Sequence, residues 1–273
     1  MGIENNSYKQ SSFGPAFFFL SNRRRKALAV YYEFCRLMDD LADEPQVKNP
    51  LEELAGWQQE VRRIFQHAPE TELGKQLVQV IDDFGLTEDR FFLLIEGMRA
   101  DVEGKIYSTL EDLNWYLYRV AVVVGLATLD ILGIKGANAQ ELALLLGNAV
   151  QLTNIIRDVP ADADMRRVYL PLDLLAQAGL SKEDVLSKCK PERVAAVLAL
   201  LARQADTYYE KAFKQMKFFP RFKMLPCRMM GCVYAKNLAK IRKKDFLFQT
   251  PIKLTRVEKI TGVFHALFQT FFM

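Results

Sequence analysis

GNAVQLTNIIRDVPAD, residues 147 to 162, sets Gln151, Asn154, Asp158 and Asp162 three or four residues apart, so in a helix all four share one face. Between them Ala149, Val150, Leu152, Ile155 and Ile156 are apolar, the composition of a helix buried around most of its circumference. Carboxylates in such surroundings need a compensating charge. A second acidic face lies earlier. Arg36, Asp39, Asp40 and Asp43 follow the apolar series Ala27, Val30, Tyr31, Phe34 and Met38, with Asp39 and Asp43 again at i and i+4. Alone, these aspartates equally fit a solvated helix end before Pro45. Together with the second set, which has Arg157 beside it, they point to hard divalent cations bridging protein carboxylates to phosphate groups of a substrate.

Composition narrows the function classes. The chain has 273 residues, half of them hydrophobic, enough for a packed core and read here as a single domain over residues 1–273. A formal charge of +4 suits an anionic ligand or anionic lipid and argues no nucleic-acid partner. Cys35, Cys189, Cys227 and Cys232 lack CxxC spacing, and His67 and His265 are the only histidines, which speaks against structural zinc and for a reducing cytoplasm. Ala16 to Leu20 is too short to span a bilayer, and the basic cluster Arg23 to Lys26 follows it, so no cleaved targeting segment is expected.

Helix signals recur along the whole length, and no alternating strand pattern does. Residues 1 to 20 read as an aromatic arm folded over something. Ser21 or Asn22 caps a helix that Pro45 ends, and Asn49-Pro50 opens the next, running to about Pro69. Gly85 closes a third, Thr87 caps a fourth, and Ser108 to Glu111 forms a capping box for a fifth that closes near Gly133. The Gln151 helix begins near Asn138 and is expected to end or bend at Pro160. After a loop through Tyr169, Ser181 to Asp184 has capping character, and long helices follow over residues 191–217 and 226–244. The expected fold is an all-α bundle. In the tail, Phe264, Leu267, Phe268 and Phe271 recur at helical spacing, which with the basic run Lys240 to Lys244 fits either a groove of the bundle or peripheral contact with the inner face of a membrane.

Four stretches resemble the squalene and phytoene synthases: SSFGPAFFFL (11–20), YEFCRLMDDLADE (32–44), YLYRVAVVVGLATLDILG (116–133) and GNAVQLTNIIRDVPADADMRRVYLP (147–171). The resemblance implies a helical bundle of the isoprenoid synthase type with a central substrate cavity. It implies Asp39 and Asp43 as a first Mg²⁺-binding pair, and Asn154, Asp158 and Asp162 as the second set. It further implies that Arg36, Gln151, Arg157, Tyr32, Tyr234 and the arm Lys9, Gln10, Ser11 and Ser12 hold two prenyl diphosphates. The sequence departs from the family at Pro160 and Ala161, where a glycine and an acidic residue are more usual, and at Gln10, where some members have serine; no metal-binding carboxylate is lost.

The chemistry of such a family explains the residue types. A diphosphate leaves an allylic carbon when its growing charge is neutralised, a task for Mg²⁺ with Arg36, Arg157 and Arg167. The carbocation left behind suits aromatic faces such as Phe13, Phe17 and Tyr116. Val120, Ala121, Val124, Ala143, Leu146 and Val150 fit either a wall for the isoprenoid tails or ordinary core packing. Within the resemblance, RVAVVVGLATLDILG is most similar to bacterial presqualene diphosphate synthases of the hopanoid pathway. The expected reaction is therefore condensation of two farnesyl diphosphates to presqualene diphosphate, with NADPH needed if it continues to squalene. The alternatives are phytoene synthesis from two geranylgeranyl diphosphates and a non-catalytic assembly protein of the same fold. A di-iron bundle is excluded by the lack of Glu-x-x-His pairs.

Overall fold

The computed structural model describes residues 20–272, and among these no strand occurs. Helix α1 (Asn22–Asp43) starts under Ser21, whose hydroxyl accepts from the Arg24 amide, and stops at an extended Glu44 just before Pro45. Pro50 opens α2 (Pro50–Phe65), where a missing N–H costs nothing. Gly85, left-handed at φ 69°, closes α3 (Glu72–Phe84). Thr87 occupies the cap position of α4 (Glu88–Val102) without a side-chain bond.

The fifth helix departs from expectation twice. Its capping box sits one residue later than read from sequence: Thr109 Oγ1 accepts from the Asp112 amide at 3.2 Å, and the Asp112 carboxylate accepts from the Ser108 and Thr109 amides. Its middle is also wound wider. Helix α5 (Leu110–Leu117) passes through a π turn (Tyr118–Val122) into α6 (Val123–Leu132), with the Val123 N–H donating to the Tyr118 carbonyl. Two glycines make room for this bulge. A Cβ on Gly97 of α4 would lie 2.6 Å from Val120 Cγ1, and one on Gly147 would lie 3.0 Å from the Val122 backbone. By length and composition Leu110–Leu132 could cross a membrane; in this fold it packs between α4 and α7 (Ala137–Asp164).

Helix α7 is the axis of the bundle. It packs against α6, the π turn, α10 (Pro191–Gln215) and α11 (Leu225–Arg242), and it is apolar around most of its surface, as a helix enclosed by four partners must be. It does not end at Pro160. Only one hydrogen bond is lost, little more than a turn from the C-terminus, and the proline ring is buried, so packing offsets the loss. Short helices α8 (Leu172–Gln177) and α9 (Lys182–Leu186) follow, α9 under a Ser181–Asp184 capping box. A 3₁₀ turn (Met216–Phe218) leads from α10 toward α11.

The tail forms α12 (Arg256–Phe272), which lies along α11. It buries Gly262, Ala266 and Thr270, with Val263 and Leu267 partly covered, and exposes Val257, Ile260, Phe264, Phe268 and Phe271. Leu267 therefore faces away from Phe264. Two cations near this tail are paired: Lys240 with Glu258 and Arg242 with Asp206.

Candidate active site

The acidic end of α1 and the polar face of α7 form facing walls of one cavity of about 470 Å³. Tyr32, Arg36, Asp39 and Asp43 line it from α1, spaced three or four apart like the face on the other side. From α7 come Gln151, Asn154, Arg157, Asp158 and Asp162. Tyr116, Arg167 and Tyr234 complete the described residues expected to hold metal, diphosphate or the cation, and all of these line this cavity. Asp40 does not. It turns outward to Arg36, at 2.7 Å, while Arg36 reaches Asp39 at 3.3 Å. Lys9, Gln10, Ser11, Ser12, Phe13 and Phe17 lie outside the described residues.

Arginines join the walls. Arg167, in the loop after α7, pairs with Asp43 and donates to the Ala42 carbonyl at 2.9 Å, tying the end of α1 to the end of α7. Arg157 Nε donates to Asp158 Oδ1 at 2.8 Å. Asp162 has no ion pair among the described residues. Burial, reinforced by the charge of Asp158, pushes the Asp162 carboxyl up to about 8. Burial and Asp43 push Asp39 up to about 6. The cavity thus holds more carboxylate than its own arginines neutralise.

Sequence reasoning missed Asp101, Tyr169 and Cys35 as lining residues. Asp101 is buried and accepts from Tyr116 Oη at 2.9 Å and from Tyr169 Oη at 2.7 Å. Burial pushes Asp101 up to about 6 against the pull of those two hydroxyls. Tyr116 and Tyr169 stack with centroids 5.0 Å apart, and Tyr107 packs on both. A signal for Asp101 existed: Leu94, Met98 and Asp101 fall at spacings of four and three on the apolar face of α4. Tyr169 sits in an irregular loop, where periodicity gives none. Its neighbours are fixed by the chain on the far side, with the Leu172 amide bonded to the Tyr107 carbonyl at 2.9 Å. Cys35 also lines the cavity, and burial pushes its thiol up to about 12, leaving it a neutral packing group.

A second, mostly apolar cavity of about 180 Å³ adjoins the first, and Val120, Val124, Gln151, Asn154 and Tyr234 border both. Val120, Ala121, Val124, Ala143, Leu146 and Val150 all line it, so these positions form a cavity wall as well as core.

The donor set fits Mg²⁺ of a particular kind. Among the described residues no three carboxylates converge on a point that could hold a metal ion alone. Mg²⁺ is ordinarily bound by one or two carboxylates together with substrate phosphate oxygens, which needs donors on two walls and a gap between them. Asn154 Oδ1 is buried with no hydrogen-bond partner, an oxygen left over for a cation.

The chain matches the squalene/phytoene synthase family over residues 8–258. A presqualene diphosphate synthase of Rhodopseudomonas palustris is 33% identical over 253 residues, 92% of this chain and 90% of that protein. A 15-cis-phytoene synthase of Synechococcus elongatus is 36% identical over 202 residues, 69% of this chain and 66% of that one. Among solved structures, a dehydrosqualene synthase in complex with ligand superposes with a TM-score of 0.82 at 26% identity, covering 96% of this chain and 92% of that one. A squalene synthase of Alicyclobacillus acidocaldarius shares the fold with a TM-score of 0.81 at 24% identity, covering 91% of each chain. With its all-helical isoprenoid synthase fold, the chain belongs to the squalene/phytoene synthase family, prenyltransferases that condense prenyl diphosphates head to head.

Proposed function

We propose that this chain condenses two farnesyl diphosphates to presqualene diphosphate, with Asp39, Asp43, Asn154, Asp158 and Asp162 holding Mg²⁺ against the diphosphates. One observation carries the reading: a cavity walled by two acidic helix faces adjoins an apolar cavity suited to isoprenoid tails. Similarity along nearly the whole length to a presqualene diphosphate synthase supports C15 substrates. The second reading, phytoene from two geranylgeranyl diphosphates, draws on a higher identity over a shorter stretch.

Bound Mg²⁺ supplies neutralisation of the charge that builds on the departing diphosphate. Arg36, Arg157 and Arg167 add fixed positive charge around the same oxygens, while Tyr32, Gln151 and Tyr234 offer hydrogen bonds. Lys9 to Ser12 belong to this diphosphate site by family resemblance. Departure leaves an allylic cation, and the rings of Tyr116 and Tyr169 give it π faces without a nucleophile to trap it. Asp101 fixes both rings through their hydroxyls. Val120, Val124 and Ile155 exclude water beside them. Forming the new carbon–carbon bond and closing the cyclopropane releases one diphosphate and one proton. No histidine among the described residues lines either cavity, which leaves a tyrosine, a carboxylate or the departed diphosphate to take that proton.

Incubation of the purified protein with Mg²⁺ and farnesyl or geranylgeranyl diphosphate, with and without NADPH, tests this by mass spectrometry. Presqualene diphosphate from the C15 substrate is expected, and squalene on adding NADPH extends the reading. Product from the C20 substrate alone overturns the C15 choice, and no condensation product from either overturns the whole.

A further inference from the structure

We propose that the outward face of α12, together with the turn carrying Phe218 and Phe222, docks this protein on an anionic phospholipid bilayer. Helix α12 has two apolar faces. Ala266 packs with Leu225, Met229 and Cys232 of α11 as a small satellite core, with Val263 and Leu267 against it. The other face has no place in that core: Val257 is 69% exposed, Ile260 52%, Phe264 64% and Phe271 54%. Phe271 continues the patch into the turn through an edge-on contact with Phe222, centroids 5.6 Å apart, and Phe222 and Phe218 are 61% and 73% exposed. A contiguous patch of this kind marks an interaction surface.

Charge identifies the occupant. From Lys217 to Phe272 the chain carries twelve lysines and arginines against two acidic residues, a surplus of ten in a protein whose formal charge is +4. Lys217, Arg221 and Lys223 are exposed in the same turn as the two phenylalanines, and Lys253 and Arg256 are exposed where α12 begins. Within α12 the one acidic residue, Glu258, is held by Lys240. A second copy would bring the same positive surface against itself, whereas an anionic headgroup layer over acyl chains meets both the cations and the phenyl rings. The placement also suits the apolar cavity. Cys227, Met230 and Tyr234 line it from one side of α11, whose other side carries Met229 and Cys232 toward α12, so one helix separates the cavity from the docking face.

Flotation of the full chain with vesicles tests the proposal. The wild type is expected to float with mixed phosphatidylcholine and phosphatidylglycerol vesicles, and at least about tenfold less with phosphatidylcholine alone or in high salt. Phe264→Ser with Ile260→Ser, and separately Lys217→Glu with Arg221→Glu, should each cut flotation about tenfold while leaving turnover on detergent-dispersed substrate unchanged. Phe218→Ser, measured alone, serves the same purpose if the double variants unfold. Absence of flotation, or flotation indifferent to these substitutions, overturns the proposal. So does dimerisation by light scattering that the same variants abolish, and so does flotation that appears only after residues 1 to 19 are removed, which assigns the face to that arm.

Discussion

The hydroxyl of Tyr116 already donates to Asp101, and burial, with the Asp101 charge behind it, keeps that hydroxyl protonated far above neutral pH. What remains for the reacting cation is the ring. Tyr116→Phe is therefore expected to keep activity within about tenfold, whereas Tyr116→Ala loses at least about 10²-fold. A phenylalanine variant that folds, binds substrate and is as inactive as the alanine one refutes the ring role. Asp39, Asp101 and Asp162 make a second prediction. Their folded pKa values, about 6, 6 and 8, lie above the ordinary 3.8, so the folded state holds more protons than the unfolded chain between those limits. Stability they contribute is complete below about pH 4 and is lost as pH rises through 6 and 8. In EDTA, thermal unfolding should show Tm falling from pH 6 to 8.5, and less steeply in Asp162→Asn; an equal slope in that variant contradicts the assignment. Twelve described site residues were legible from spacing and resemblance, because a helical face is written in steps of three and four. Asp101 and Tyr169 were not, since one hides at the end of an apolar face and the other in a loop.

Helix ends marked by Ser21, Pro50 and Gly85 were read to within a residue or two, whereas the second helix stops at Phe65, four residues before the Pro69 expected to end it. The π turn at Tyr118–Val122 was invisible, because Val120 to Val124 is an unbroken apolar run whose periodicity an extra residue does not disturb. Pro160 misled for the opposite reason: its local rule is strong, but the burial of α7 outweighs it. The close fit around the π turn yields a paired prediction. Gly97→Ala gains about 1 kcal/mol of helix propensity but drives a methyl into Val120, an overpacking cost of about 1–3 kcal/mol, so a net loss of up to about 2 kcal/mol is expected. Gly56→Ala, in exposed α2 with nothing within 4 Å, should instead stabilise by up to about 1 kcal/mol. Denaturant unfolding of the two variants checks the opposite signs; stabilisation in both means the turn has slack.

Across the whole molecule, residues about 120 apart in sequence meet over one cavity, and the bonds of Arg167, in the loop after α7, to Asp43 and Ala42 tie the ends of α1 and α7 together. Spacing identified both acidic faces and the resemblance set them around one site; what holds them opposite each other is how α1, α4, the π turn and α7 pack. The same packing separates an acidic cavity from a basic surface at α11 and α12, an asymmetry that the overall +4 conceals. If both walls act as one site, neither is dispensable. Diphosphate release from farnesyl diphosphate in the presence of Mg²⁺ measures this most directly, in the wild type and in Asp39→Asn and Asp158→Asn, with circular dichroism to verify that the helices persist. Release by the wild type, and a loss of about 10³-fold or more in each variant alone, is the expected result, because a neutral amide binds Mg²⁺ poorly and leaves the departing charge uncompensated. Release at the wild-type rate in either folded variant contradicts a site shared between the two helices.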